Sequence, residues 1–132
     1  MPGWLLYDYI DTRGRNDFEA WTRNLESRYR AMLNRKLKAL EDEVERGLLP
    51  GMIEGPIKHH PHIYKLKLGG KVKLRPLLCK GPLDNNCELT LLIGATERDW
   101  QYDPTNAPDT AEARREEIIN DYSRRCRHVK VL

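Results

Sequence analysis

The chain has 132 residues, with 23 basic and 20 acidic side chains, and its formal net charge is +3. An excess this small does not by itself indicate a polyanionic partner. Whether the chain has a basic binding surface depends instead on how its charges are distributed along the sequence. The length favours one domain, residues 1–132, which is large enough to bury a core without disulfides or metal. No apolar run approaches the roughly 20 residues of a membrane span, so we expect no membrane contact.

The cysteine count and the first residues predict the compartment. The chain contains Cys79, Cys87 and Cys126, and an odd number of cysteines is typical of reduced thiols in a cytoplasm. Residues 1–10 include an acid and lack a basic n-region, which does not fit a secretion signal. We therefore expect a cytoplasmic protein.

The N-terminal part is predicted to form a strand followed by a helix. Residues 4–10 are rich in aromatic and β-branched types, which predicts the strand. Asn16 and Glu19 have capping-box spacing, so the helix is expected to begin at Asn16. Its predicted core face consists of Phe18, Trp21 and Leu25.

A longer helix is predicted over residues 27–46. Apolar side chains recur there every three or four positions, which is the pattern of one buried helix face. They are Tyr29, Leu33, Leu37, Leu40 and Val44. Gly47 fits the position just beyond a helix C-terminus.

The second half is predicted to contain three strands and a last helix. After a loop rich in proline and glycine, alternating patterns predict strands over residues 62–68, 72–79 and 87–95. Residues 98–106 are predicted to be a loop. The helix is expected to begin near Pro108 or Asp109, with Asp109 and Glu112 as a capping box. Its predicted inward face consists of Ile118, Ile119, Tyr122 and Cys126.

The element order is therefore β-α-α-β-β-β-α. Each element has one apolar face to bury, and a small antiparallel sheet covered on one side by helices satisfies all of them. The sequence predicts an α+β fold of this kind, with two N-terminal helices and a C-terminal helix packed on the sheet.

Basic residues alternate with leucines along the first two of the three strands. Because side chains alternate across a strand, the leucines share one face and the cations share the other. A three-residue loop, 69–71, would pair Leu66 with Leu74 and Leu68 with Val72. The predicted cationic face consists of Lys65 opposite Arg75 and Lys67 opposite Lys73.

Such a face predicts an anionic partner. Like charges directly opposite each other destabilise a sheet by up to about 1 kcal/mol per pair, and bound nucleic acid would relieve the repulsion. The alternative is a solvated strip without a ligand, or one neutralised by Glu88, Glu97 or Asp99. Pro76 cannot donate to a ladder, so a bulge or a sheet edge is expected there.

Two further groups could carry chemistry. Arg98, Trp100 and Tyr102 could hold a phosphate and stack on unpaired bases, although a tryptophan there is more often a cap on the core. His59, His60 and His62 could act as acids or bases, or could bind metal together with Cys79 or Cys87. Their spacing matches no standard zinc pattern, so we expect neither metal nor cofactor.

The element order and three segments, residues 63–78, 89–100 and 111–118, resemble the RelE/HigB superfamily of bacterial and phage toxins from toxin–antitoxin pairs. The resemblance implies a small sheet flanked by two N-terminal helices. It also implies a phage-derived, metal-independent endoribonuclease that cleaves mRNA on the ribosome and is inhibited by an antitoxin protein.

Carried over by position, the resemblance implies a set of site residues. The implied catalytic residues are Lys65, Lys67, Arg75, Arg98 and Tyr102, and the implied RNA-binding residues are Lys71, Lys73, Trp100 and His62. A lysine could serve as the base if neighbouring cations lowered its pKa. Because the superfamily also includes gyrase inhibitors, a non-catalytic module that contacts DNA, gyrase or another protein is the main alternative, and a phage or plasmid structural protein is the third.

Overall fold

The computed structural model describes residues 3–42 and 53–132, which form strands and helices in an α+β arrangement. In chain order the elements are β1 (Leu5–Tyr9), α1 (Asp17–Arg23), α2 (Ser27–Asp42), β2 (Tyr64–Lys65), β3 (Leu68–Gly69), β4 (Lys73–Leu74), β5 (Leu77–Lys80), β6 (Glu88–Ile93), β7 (Thr96–Arg98), β8 (Gln101–Asp103), α3 (Ala107–Asn120) and β9 (Arg125–Arg127). No helix in this part of the chain is both long and apolar enough to cross a bilayer.

The predicted N-terminal strand and the start of α1 are confirmed. The Asn16 side chain accepts a hydrogen bond from the backbone N–H of Glu19 at 2.9 Å, which satisfies one of the unpaired donors of the first turn. Phe18 is buried, and the half-buried Trp21 and Leu25 pack against the same apolar cluster. The local capping pattern was therefore sufficient to place this helix.

The apolar face of α2 is also confirmed. Four residues of the predicted stripe are buried: Tyr29, Leu33, Leu37 and Leu40. The structure describes α2 as far as Asp42, so the predicted continuation to residue 46, with Val44 and Gly47, lies outside the described residues. Residues 48–52 of the predicted proline- and glycine-rich loop, which spans 48–61, lie outside them too.

The main sheet is mixed and not antiparallel as predicted. Its five strands run in the order β2-β5-β6-β1-β9, and β1 pairs with β6 in parallel. A parallel pair needs a long crossover connection, which here includes both N-terminal helices. The sequence pattern identified β1 as a strand, but it could not specify which neighbour β1 would pair with or in which direction.

Helices cover both faces of this sheet, which corrects the one-sided prediction. On one face, side chains of α1 and α2 pack on Leu6, Leu78 and Leu91. On the other face, Ala107, Ala111 and Ile118 of α3 pack on a second cluster that includes Leu77 and Cys79. Consecutive residues of β5 are therefore both buried, because each of them faces a different helical layer.

The lysine-rich hairpin is shifted by two residues from the predicted register. Leu68 lies opposite Leu74, and Gly69 lies opposite Lys73, so the loop is 70–72. Gly69 has a φ of 103°, and a Cβ on it would collide with the Val72 carbonyl. Glycine thus lets the first strand continue further before it turns, which leaves Val72 41% exposed in the loop.

Both hairpin strands are interrupted near Pro76. The outer part of the hairpin, β3 and β4, joins β7 and β8 in a separate antiparallel sheet, whereas β2 and β5 belong to the main sheet. Pro76 lies between β4 and β5, and its carbonyl accepts a hydrogen bond from Leu66 N at 3.0 Å. The irregularity expected at Pro76 is thus a break between β4 and β5, and a separate register shift against β6 follows between Leu77 and Leu78.

The C-terminal part differs most from the predictions. The predicted loop over residues 98–106 instead contains the end of β7, the hairpin turn and all of β8, and the turn residues Asp99 and Trp100 have φ values of 51° and 67°. The α3 helix begins at Ala107 without a side-chain cap, so the predicted capping box is wrong. It ends at Asn120, before Tyr122, and Cys126 lies in β9, which pairs with β1.

Candidate functional site

Three polar side chains stand in a row across the smaller sheet. Glu97 of β7 lies directly opposite Lys73 of β4 on one side and Tyr102 of β8 on the other. Residues that are directly opposite in antiparallel strands point to the same face, with Cβ atoms about 5 Å apart. A carboxylate therefore stands between an ammonium group and a phenol, which places groups that accept and donate protons side by side.

Arg75 holds the carboxylate of this row in place. Its Nε lies 2.9 Å from Glu97 Oε1, and its Nη1 donates to the carbonyls of Leu68 and Leu74 at 3.2 and 2.7 Å. Arg75 is only 7% exposed, so the predicted exposure of this cation is wrong. The ion pair with Glu97 and the two carbonyls offset the cost of burying the guanidinium.

The predicted face of four exposed cations is therefore not formed. In the observed register Lys65 lies opposite Leu77 and is half-buried, while Lys73 lies opposite Gly69. Lys67 is exposed, and its Nζ lies 3.7 Å from Glu54 Oε2. The pairwise repulsion on which the sequence argument relied is absent from these pairs, because acids and apolar residues separate the cations.

The row Lys73–Glu97–Tyr102 lies in a groove of about 590 Å³, which we call the hairpin groove. Its charged lining is balanced, with three basic and three acidic side chains. They are Lys71, Lys73, Arg98, Glu97, Asp99 and Asp103. Trp100 is 92% exposed at the tip of the β7–β8 hairpin, so it does not cap the core.

The surroundings of Tyr102 keep its phenol protonated. Burial raises the pKa of Tyr102 above its ordinary value of 10, and the negative charge of Glu97 raises this pKa further, while Arg75 opposes the effect. A phenol with a raised pKa retains its proton at neutral pH. Tyr102 can therefore donate a proton to a bound group, but it is a poor choice for removing one.

The site residues predicted from the sequence fall into three places. Lys71, Lys73, Arg98 and Tyr102 line the hairpin groove, with Trp100 at the adjacent hairpin tip. Lys65 and Lys67 flank Glu54, since Lys65 also forms a β-bridge with Glu54. His62 lines a different, smaller cavity beside Lys80 and Arg115.

One histidine contacts two carboxylates in an arrangement that the sequence did not predict. His60 Nδ1 lies 2.9 Å from Glu112 Oε2, and its Nε2 lies 3.3 Å from Asp109 Oδ1. These three residues offer metal-ligand types within 4.8 Å of one another. The carboxylates contact opposite ring nitrogens, however, and one metal ion can be ligated by only one of those nitrogens. The geometry fits a histidine that clamps the 53–63 segment to α3.

The cysteines suggested as additional metal ligands do not join this group. Cys79 is buried in the core, and its burial raises the pKa of the thiol to about 12. The thiolate that a metal would need is therefore strongly disfavoured. Cys87 donates through Sγ to Asp84 Oδ2 at 3.0 Å in the turn before β6.

Glu97 is the site residue that the sequence interpretation missed. The sequence pattern predicts Glu97 only as a surface charge near the lysines, because the last of the three strands is predicted to end at residue 95. Extending the alternating pattern by two positions would have placed Glu97 on a strand. The contact with Arg75, however, joins residues 22 positions apart and depends on the tertiary fold.

Comparisons with known proteins return no family for this chain. The sequence matches no protein-family model, and neither a curated protein nor a solved structure matches it significantly.

Proposed function

We propose that the protein is a toxin-type endoribonuclease that cleaves ribosome-bound mRNA without metal in the cytoplasm and is inhibited by a cognate antitoxin protein. The observation that carries the proposal is the row Lys73–Glu97–Tyr102 in the hairpin groove. It supplies a proton acceptor, a proton donor and a cation within one short stretch of sheet. The toxin family and its partners come from the sequence resemblance alone.

RNA cleavage by its own 2′-hydroxyl needs those three groups. In the proposed step Glu97 accepts the 2′-hydroxyl proton as the oxygen attacks phosphorus, and Tyr102 gives its proton to the leaving 5′-oxygen. The products are a 2′,3′-cyclic phosphate and a 5′-hydroxyl. Because Glu97 and Tyr102 are neighbours, the proton can return from the carboxyl to the phenolate and restore both groups.

Arg75 is a positioning residue in this scheme. It contacts Glu97 through Oε1, and Oε2 is left to accept the proton. Lys73 is next to the carboxylate on β4 and can stabilise the extra negative charge on the phosphorane. This assignment replaces the lysine base that the resemblance implied, because a carboxylate oxygen has a lone pair that can accept the proton, whereas a lysine ammonium group has none.

The rim of the groove would hold the RNA strand. Lys71 and Arg98 are exposed and can contact backbone phosphates, while Trp100 offers an open ring for stacking on an unpaired base. Lys67 and Lys65 lie outside the groove and would at most contact the strand beyond the cleaved bond. His62 has no part in this step.

Cleavage of a labelled single-stranded RNA tests the proposal. The purified protein should yield fragments that end in a 2′,3′-cyclic phosphate. Glu97→Gln and Tyr102→Phe should each slow cleavage about 10² to 10⁴-fold. Glu26→Gln and Tyr122→Phe serve as matched controls at exposed positions and should cleave like the parent. Absence of cleavage on free and ribosome-bound RNA, or equal rates in all variants, would reject the nuclease.

A cellular experiment tests the toxin assignment separately. Expression of the chain alone should arrest growth and cut transcripts, and Arg98→Ala should reduce both effects. Co-expression of the protein encoded by the adjacent reading frame should restore growth. Arrest that persists in Glu97→Gln would mean that toxicity does not depend on the proposed chemistry.

One observation favours a non-catalytic binding module as the second candidate. The charges in the hairpin groove are balanced, and Trp100 projects from a hairpin tip as a large exposed aromatic side chain. Such residues frequently dominate protein–protein binding. Two results would favour this candidate over the nuclease. A protein partner should be pulled down by the parent chain but not by Trp100→Ala, and RNA incubated with the protein should remain uncleaved.

A further inference from the structure

A second, much smaller cavity lies away from the hairpin groove. It forms where the start of β2, the end of β5, the turn after β5 and the α3 helix come together. Its volume is about 90 Å³, which is roughly three times the volume that one molecule occupies in liquid water. It is lined by His62, Tyr64, Lys80, Asn85 and Arg115.

The cavity is cationic. One of its lining side chains is a lysine, one is an arginine and a third is an imidazole, and none of the described residues that line it is acidic. The hairpin groove, in contrast, has as many acids as bases. A cavity this small cannot hold a nucleoside or a drug-sized ligand, but it can hold one tetrahedral oxyanion.

The cationic groups are held in place before any ligand binds. Lys80 Nζ lies 5.1 Å from the centre of the Tyr64 ring, in a cation–π contact. The Arg115 side chain is only 14% exposed, and its Nη1 lies 3.5 Å from Glu116 Oε1. Because both side chains are already ordered, an anion would bind with little loss of side-chain freedom.

Arg115 has an unused donor. Its Nε is buried and has no hydrogen-bond partner among residues 3–42 and 53–132. Buried donors in native proteins are almost always paired, so an orphaned guanidinium N–H beside a cavity indicates a missing acceptor. A phosphate oxygen is a strong acceptor for a guanidinium group.

The turn after β5 brings an amide to the same cavity. Asn85 Oδ1 packs against Gly81, where a side-chain Cβ would collide with it, and Gly81 has a φ of 72°. Glycine at this position therefore lets Asn85 approach the end of β5. Its amide adds a neutral group that can donate a hydrogen bond to an oxyanion.

We infer that this cavity is a binding site for a phosphate group, held by Arg115 and Lys80 with His62 and Asn85 beside them. The phosphate could be free or terminal, or it could belong to a nucleic-acid backbone, since both present the same oxygens. The site does not depend on the chemistry proposed for the hairpin groove, and the two share no lining residue.

Titration with inorganic phosphate, followed by two-dimensional NMR, tests the site. Sodium phosphate, compared with sodium chloride at equal ionic strength, should give saturable shifts at Asn85 and His62, with a Kd on the order of millimolar. Arg115→Gln and Lys80→Gln should each raise this Kd about tenfold. Arg13→Gln and Lys58→Gln are the matched controls at exposed positions and should leave it unchanged.

If Arg115→Gln does not fold, the phosphate affinity of Lys80→Gln alone tests the site. This variant is expected to fold, because Lys80 is half-exposed at a strand end. Shifts that do not saturate, or a Kd that neither substitution changes, would overturn the inference. Saturable shifts that only the two cavity substitutions weaken would support it.

Short RNA oligonucleotides identify the source of the phosphate, with Glu97→Gln as the host so that cleavage does not interfere. If a 5′-phosphorylated oligonucleotide shifts Asn85 and its 5′-hydroxyl counterpart does not, the site takes a terminal phosphate. Equal shifts with both assign a backbone phosphate. Shifts with inorganic phosphate alone assign a free anion. Each of these outcomes supports the site even if the protein cleaves no RNA.

Discussion

Arg75 Nε lies 2.9 Å from Glu97 Oε1, and the two side chains are only 9% and 15% exposed. This ion pair changes the electrostatic interpretation of the hairpin, because the arginine expected to face a polyanion instead holds a carboxylate. The carboxylate in turn separates Lys73 from Tyr102. The chemistry of the site therefore depends on an acid that the pattern of lysines did not suggest.

A double-mutant cycle should show that this pair is coupled. Arg75→Met leaves the largely buried Glu97 carboxylate without its guanidinium partner, so we expect the free energy of unfolding to fall by about 3 kcal/mol. Arg75→Met combined with Glu97→Met should recover most of that loss, since no unpaired charge remains. Urea denaturation measures both values, with Arg98→Met at a 93% exposed arginine as the control. Additive effects of the two substitutions would show that the pair is not coupled.

The alkaline limb of the pH–rate profile should report Tyr102. Its pKa lies above 10, so the proton donor stays loaded through neutral pH, and the rate should fall only when the pH passes that raised value. In Tyr102→Phe the remaining slow cleavage should lose this limb. Single-turnover rates between pH 6 and 11 provide the measurement, with unfolding monitored in parallel. A limb that survives in Tyr102→Phe belongs to another group.

Trp100 should contribute to RNA affinity and not to stability. Its ring is 92% exposed, so Trp100→Ala should change the free energy of unfolding by less than about 0.5 kcal/mol. Loss of one base stack should weaken binding of single-stranded RNA about 5- to 100-fold. Fluorescence anisotropy measures this change, and Leu83→Ala, another exposed apolar side chain, is the control. Unchanged RNA affinity would contradict a role of Trp100 in base stacking and would favour a protein partner for this ring.

Chelation should leave cleavage unaffected. EDTA would remove any metal at the group formed by His60, Asp109 and Glu112, yet the proposed step uses only side chains of the hairpin groove. His60→Gln should lower the free energy of unfolding by about 1 kcal/mol, because two contacts to α3 are weakened, and should keep the parent's cleavage rate. Inactivation by EDTA that manganese or zinc reverses, and that His60→Gln reproduces, would contradict a metal-independent enzyme.

The sequence by itself determined the features that depend on near neighbours. The Asn16 cap and the apolar stripe of α2 were predictable because their patterns act over one helical turn. The leucine and lysine alternation of the hairpin was predictable for a similar reason. A register shift by an even number of residues keeps Leu66 and Leu74 on one face, and both are buried as expected, although Arg75 of the opposite face is buried as well.

Only the tertiary structure decided which residues meet. The parallel pairing of β1 with β6, the return of β9 to β1 and the contact between Arg75 and Glu97 all join segments far apart in sequence. No local propensity favours one such pairing over another, because pairing is decided by how two helical layers bury both faces of the sheet. The burial of Arg75 and the position of Glu97 beside Tyr102 follow from that packing.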